Sequence, residues 1–229
     1  MNARIDEQSF KYLRKLAKNN DRDWFKAHRE EYEQARENVA LFADEMIHRL
    51  NRHDLIETVS GKKSMYRIHR DVRFSKDKTP YNRWFSGYFR RATSALRGGY
   101  YYRLEPGGRS LIGGGFWGPN KEDLLLIRQQ IEMDDEPLRK VLKSSSFKKL
   151  FGELKGEQLK TAPKGFSKEH PQIDLLRYKQ FLVVREFSDK EVLAPDFIQE
   201  AHRTFKGMRP LFDVMSMYLT TDLNGESTL

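Results

Sequence analysis

Residues 66–81 read YRIHRDVRFSKDKTPY, and the fold turns on how this stretch is paired. Its first nine residues alternate. Tyr66, Ile68, Val72 and Phe74 fall on one side of an extended chain, and Arg67, His69, Asp71 and Arg73 on the other. That period of two predicts a β-strand over Tyr66–Phe74. Arg70 falls on the apolar side, between Ile68 and Val72, where a guanidinium keeps its charge and needs a carboxylate or several carbonyls. Same-side residues of a strand stand about 6.6 Å apart. Arg67, Asp71 and Arg73 are therefore expected to line one groove, with Asp71 holding an arginine in place. Ser75–Asn82 reads as a loop, with Thr79 kept extended by Pro80. It returns Asp77, Lys78 and Tyr81 over the strand.

The charge of the chain is concentrated around this stretch. From Gly61 to Arg103 there are twelve Lys and Arg residues against Asp71 and Asp77 alone, a net of +10. The whole chain carries +9, so everything outside the window sums to −1. A local excess of that size favours an anionic partner docking there. Arginine suits phosphate and carboxylate oxygens because its fork matches their geometry.

These observations predict a binding site for a small anionic ligand bearing phosphate or carboxylate. Arg67, Arg70, Arg73 and Lys78 bind its charge, and Tyr81 donates a hydrogen bond. Asp71 and Asp77 orient the cations or act as base, so they are the candidate catalytic residues. Whether the site is catalytic stays open. Nucleic acid is the alternative partner, because the window interleaves cations with Tyr66, Phe74, Tyr81, Trp84, Phe85, Tyr88, Phe89 and Tyr100–Tyr102, as stacking platforms require. A third possibility is a non-catalytic scaffold with an internal ion network, in which Arg70→Ala unfolds the protein.

The motif Arg67-x-x-Arg70-Asp71-x-Arg73-Phe74-x-x-Asp77-Lys78-x-x-Tyr81 resembles the signature of the bacterial DUF2461 family. Asn19-Asn20-x-Arg22-Asp23-Trp24-Phe25, Leu104-Glu105-Pro106-Gly107-Gly108, Gly113-Gly114-Gly115 and Pro163-Lys164-Gly165-Phe166 are similar to that family too. The resemblance covers nearly the whole chain. It departs at Asn38 and Val39, where many relatives carry a proline. The family has no assigned activity, so the resemblance implies an identity and not a function.

The 229 residues suffice for a substantial core. They are expected to form a single domain over residues 1–229. N-terminal helices span 8–52, a central sheet 65–117 and C-terminal helices 119–220. The fold class is α+β: an antiparallel sheet of four or five strands with helices packed mainly on one side. Phe10, Leu13, Leu16 and Ala17 mark a helix over Gln8–Lys18, and a stripe from Phe25 to Leu50 marks a longer one over Asp23–Arg52, with one of Asn19, Asn20 and Asp21 as its cap. Asn51–Ser64 reads as loop. Further strands are expected at Trp84–Arg91, Tyr100–Leu104, Ser110–Trp117 and Phe181–Phe187, with Glu105–Gly108 a hairpin turn. Helices are expected at Glu122–Met133 with Pro119 in the first turn, Glu136–Lys143, Phe147–Phe151, Ile173–Tyr178, Ala194–Lys206 and Arg209–Leu219. Gly113–Gly115 ahead of a helix N-terminus offers a backbone anion site, with a plain strand-to-helix connection the commoner outcome.

Several chemistries are excluded or disfavoured. With no cysteine in the chain, thiol catalysis, disulfides and cysteine zinc sites are out, and a cytoplasmic location is permitted. The six histidines lack ligand spacing, so neither metal nor cofactor is expected. His69 is a candidate general base, although a surface histidine between arginines is commoner. No apolar run reaches the roughly 20 residues of a membrane helix, so no membrane partner is expected. Oligomeric state is left open.

Overall fold

Glu7–Lys18 (α1) buries Phe10, Tyr12, Leu13 and Leu16 along one stripe, with Glu7 in its first turn and Lys15 and Lys18 in its last, as the helix dipole favours. The computed structural model describes residues 3–229. Asp21 caps Arg22–Ala27 (α2), its carboxylate accepting from the Trp24 N–H at 2.8 Å. Arg29–Leu50 (α3) follows. The single helix expected over Asp23–Arg52 is thus two helices, parted at His28 (φ −111°, ψ 29°). The His28 ring stacks on Trp24 at 4.0 Å, and its Nδ1 lies 2.8 Å from the Trp24 carbonyl. That local contact holds His28 outside helical dihedrals.

The Asn51–Ser64 connection contains a short helix, Gly61–Ser64 (α4), capped by Ser60. It lies hard against α3. A Cβ at Gly61 would collide with the Ala40 carbonyl and sit 2.7 Å from the Asp44 nitrogen.

One four-stranded antiparallel sheet completes the α+β fold. Its strands are Phe85–Arg90 (β1), Gly99–Leu104 (β2), Ser110–Phe116 (β3) and Phe181–Phe187 (β4), in that order across the sheet. The β2–β3 turn needs two left-handed residues and has glycine at both, Gly107 (φ 89°) and Gly108 (φ 70°). The Asp189 carboxylate accepts from both of their N–H groups, at 2.9 and 3.0 Å.

The strand expected at Tyr66–Phe74 is not formed. Only isolated antiparallel bridges tie this segment down, Met65 to Gly87 and His69 to Tyr81. Of its four nominally apolar positions only Ile68 is buried, while Phe74 is 95% exposed. The chain leaves extended pairing beyond Arg70, whose guanidinium is satisfied inside its own loop and not by a neighbouring strand.

The glycine run of β3 serves close packing. A Cβ at Gly114 would sit 2.7 Å from the Gly99 carbonyl, and Gly115 (φ 129°) lies against the Phe181 carbonyl. The next helix, Lys121–Met133 (α5), begins at an Asn120 cap and not with Pro119 in its first turn. Glu122 and Asp123 already place carboxylates at this helix end, and Asp123 pairs with Arg97.

The remaining helices are Glu136–Lys143 (α6), Ser145–Phe151 (α7), Ile173–Leu176 (α8), Asp189–Leu193 (α9), Phe197–Lys206 (α10) and Arg209–Thr220 (α11). The sequence predicts one helix over Ala194–Lys206. The structure adds α9, started by a capping box between Ser188 and Glu191. It stops before Pro195, because the residue preceding a proline is pushed out of the helical region.

The chain divides into two compact units. One holds the chain up to Phe89, Tyr101–Ile112 and Glu186–Arg203; the other holds Arg90–Tyr100, Gly113–Arg185 and Thr204–Leu229. In the first, Phe42 of α3 packs on Tyr102 and Phe197, with ring centroids 6.0 and 5.6 Å apart, and Phe89 stacks on Tyr102. Each side chain so buried contributes about 2–3 kcal/mol. In the second, α11 buries Leu211, Phe212, Met215 and Tyr218, and the wholly buried Arg91 side chain donates to the Arg97 carbonyl at 2.7 Å.

Candidate functional site

Residues 65–87 double back on themselves within the first unit. Tyr66 N–H donates to the Ser86 carbonyl (2.9 Å), Asn82 N–H to Ile68 (2.7 Å) and Arg70 N–H to Pro80 (2.8 Å). Between the first two of these bonds one residue, Arg67, lies opposite three, Arg83, Trp84 and Phe85. The pairing slips there, as in a bulge. The extra residues are on the Arg83–Phe85 side, and Arg67, facing them, borders a recess.

That recess encloses about 260 Å³. Arg67 and His69 border it from the looped segment, and Arg29, Tyr32, Glu33 and Arg36 from α3. Three arginines against one carboxylate leave a net charge of +2, before counting His69. Glu33 sits between the two helix arginines. It accepts from Arg29 Nε at 2.8 Å and lies 3.4 Å from an Arg36 nitrogen. These pairs occupy a minority of the five N–H donors on each guanidinium. Arg67 has no hydrogen bond or ion pair among the described residues, so its whole donor set is open.

The base of the loop is anchored from α2. Tyr81 is only 5% exposed and its ring stacks on Phe25 at 4.1 Å, with the edge of His69 against it at 5.1 Å. Burial pushes the Tyr81 phenol above its ordinary range. Asn20 pairs with Tyr81 like a strand, its amide donating to the Tyr81 carbonyl (2.9 Å) and accepting from the Tyr81 N–H (3.1 Å).

The tip of the loop is closed by its own cations. The Arg70 guanidinium donates to Asp77 Oδ2 (2.7 Å), to the Thr79 carbonyl (3.0 Å) and to the Thr79 hydroxyl. Asp77 Oδ1 accepts from the Thr79 N–H (2.9 Å) and hydroxyl (2.8 Å). Those two Thr79 bonds, then Arg70, hold the Asp77 carboxyl down at about 2. Such a group is a weak base at neutral pH and a good orienting anion. Lys78 turns back on the loop and donates to the Val72 and Arg73 carbonyls, at 2.9 and 3.4 Å. Asp71 accepts from Arg73 through both oxygens, at 3.0 and 2.7 Å, and these bonds hold it below the usual carboxylate range.

The seven residues expected from sequence are therefore not gathered into one groove. Arg70 pairs with Asp77, Arg73 pairs with Asp71, Lys78 closes the loop, and Tyr81 forms part of the core. Arg67 alone lines the recess. The arginines it joins, Arg29 and Arg36, were not expected from sequence. Their spacing of seven on a helix, with Tyr32 and Glu33 between, puts all four on one face and is the signal that marks them.

Among the described residues no group of three or more His, Asp or Glu side chains is placed to hold a metal ion. No described helix is long and apolar enough to cross a membrane. Neither a curated protein nor a solved structure matches the chain. A family model described as conserved hypothetical protein (DUF2461) matches residues 8–213. With the loop built on the sixteen residues that carry that family's signature, and the match running over nearly the full length, the chain belongs to the DUF2461 family.

Proposed function

We propose that the recess between α3 and Arg67 binds a small dianion, a phosphate in preference to a carboxylate. What carries this is the meeting of three guanidinium groups from two separate segments around one concavity of about 260 Å³. The net charge of +2 matches a phosphate monoester near neutrality, whose charge is about −1.5 to −2. Arg67 supplies an unoccupied fork for bidentate contact. Glu33 holds Arg29 and Arg36 in place, which lowers the ordering cost of binding. Asp71, Asp77, Arg70 and Lys78 stiffen the loop that carries Arg67.

Isothermal titration with inorganic phosphate, sulfate, a dicarboxylate and acetate at low ionic strength tests this. Phosphate and sulfate are expected to bind, the dicarboxylate more weakly, and acetate not at all. No heat with any of the dianions overturns the proposal.

A further inference from the structure

We propose that the ligand of this recess is the terminal phosphate of a single-stranded nucleic acid, and that Phe74 at the loop tip stacks on one of its bases. This rests on the phosphate reading above and adds the class of molecule that bears the phosphate.

Phe74 is 95% exposed, more than any other large apolar side chain among the described residues. It is not on a slack segment. Arg70 and Lys78 tie the two arms of the loop together behind it, so the ring is held out by a braced support. A lone exposed apolar side chain is ordinary; what singles out Phe74 is the cation beside it. The Arg73 guanidinium lies 5.9 Å from the Phe74 ring centroid, with most of its side chain in solvent. An aromatic face next to an accessible cation is the pairing that single-strand sites use, the ring for a base and the cation for the backbone. Tyr66, also exposed, stands on the rim of the recess 6.5 Å from Tyr101 and offers a second face.

The spacing fits. Arg67 and Phe74 are seven residues apart, at most about 25 Å of chain, and Arg67 is close enough to Asp71 to lower its pKa. The recess and the tip are therefore separated by no more than the reach of roughly four nucleotides, the lower end of single-strand site sizes. A dianionic end group fits the +2 recess better than the singly charged phosphates inside a strand. An anionic bilayer fits the tip less well, because Asp71 and Asp77 would be carried to its surface.

The test is fluorescence anisotropy at low salt with labelled single strands of about ten thymidines, phosphorylated at the 5′ end, at the 3′ end, or at neither. One phosphorylated strand is expected to bind about tenfold tighter than the strand with two hydroxyl ends. Phe74→Ala is expected to weaken that strand about tenfold, within the range for loss of one stacked base, and Phe74→Trp to restore it. If the wild-type protein binds inorganic phosphate but its oligonucleotide affinity ignores both the end group and Phe74, this inference falls and the phosphate site stands. If it binds neither, both fall.

Discussion

Arg70 and Asp77 meet across seven residues of loop, guanidinium nitrogen to carboxylate oxygen at 2.7 Å, and the same guanidinium takes the Thr79 carbonyl at 3.0 Å. The arginine that interrupts the apolar alternation is thus the inner brace of the loop, and the arginine three residues before it borders the recess.

The brace predicts a local effect. Residues 71–79 bury little, so Arg70→Ala should loosen the loop without unfolding the protein. Hydrogen exchange at the Thr79 and Arg73 amides is expected to quicken about tenfold, the size of one lost charge-assisted hydrogen bond, while amides of α3 keep wild-type rates. Global unfolding of the variant would favour the scaffold with an internal ion network instead.

The Thr79 bonds to Asp77, with Arg70 after them, make the loop acid-sensitive. A carboxyl whose folded value is depressed stabilises the folded loop above its ordinary value near ~3.9, and that contribution fades as pH falls through the folded value. For Asp77 this window runs from about pH 4 down to about 2. Carbon-detected NMR of the side-chain carboxyl should give a midpoint near 2, moving up toward the ordinary value in Thr79→Val. A midpoint of 4 in the wild-type protein would contradict the geometry.

Tyr12 presents the opposite case. Its hydroxyl is buried with no hydrogen-bond partner among the described residues, and burial pushes its pKa well up. Tyr12→Phe removes an unsatisfied polar group and keeps the ring packed beside Trp24 and Tyr32. Thermal unfolding is expected to be unchanged or stabilised by about 1 kcal/mol. A loss of 2 kcal/mol or so would mean that the hydroxyl has a partner.

Gly61 is a steric requirement. Because its missing Cβ leaves room for the Ala40 carbonyl, Gly61→Ala must push α4 off α3. A loss of about 3 kcal/mol is expected, read as a fall of some 6–12 °C in the unfolding midpoint for a chain of this size.

Much of this architecture is legible in the sequence because local chemistry determines it. Glu105-Pro106-Gly107-Gly108 specifies the β2–β3 turn, and Phe181–Phe187, with Val183 and Val184 at its centre, is a strand over just those residues. Tyr66–Phe74 has the alternation of a strand and is not one, because Arg70 is satisfied within its own loop and a bulge falls opposite Arg67, at residues 83–85. Arg70 shows in the pattern as an interruption, but its partners do not, and the bulge leaves no periodic trace. Arg29 and Arg36 share a visible helix face, but their meeting with Arg67 joins residues some thirty to forty positions apart, which no local pattern encodes. His28 parts α2 from α3 through a ring contact that a smooth apolar stripe conceals.

The division of the two arginines is the claim on which everything else depends, and phosphate affinity in paired variants tests it most directly. Arg67→Ala should weaken inorganic phosphate about tenfold or more while leaving the unfolding midpoint near wild type, since it removes a charge-assisted contact from a side chain with no hydrogen bond or ion pair among the described residues. Arg70→Ala should weaken it far less, acting only through the mobility of the loop. Equal affinity in wild type and Arg67→Ala, or a larger loss in Arg70→Ala than in Arg67→Ala, would contradict the account.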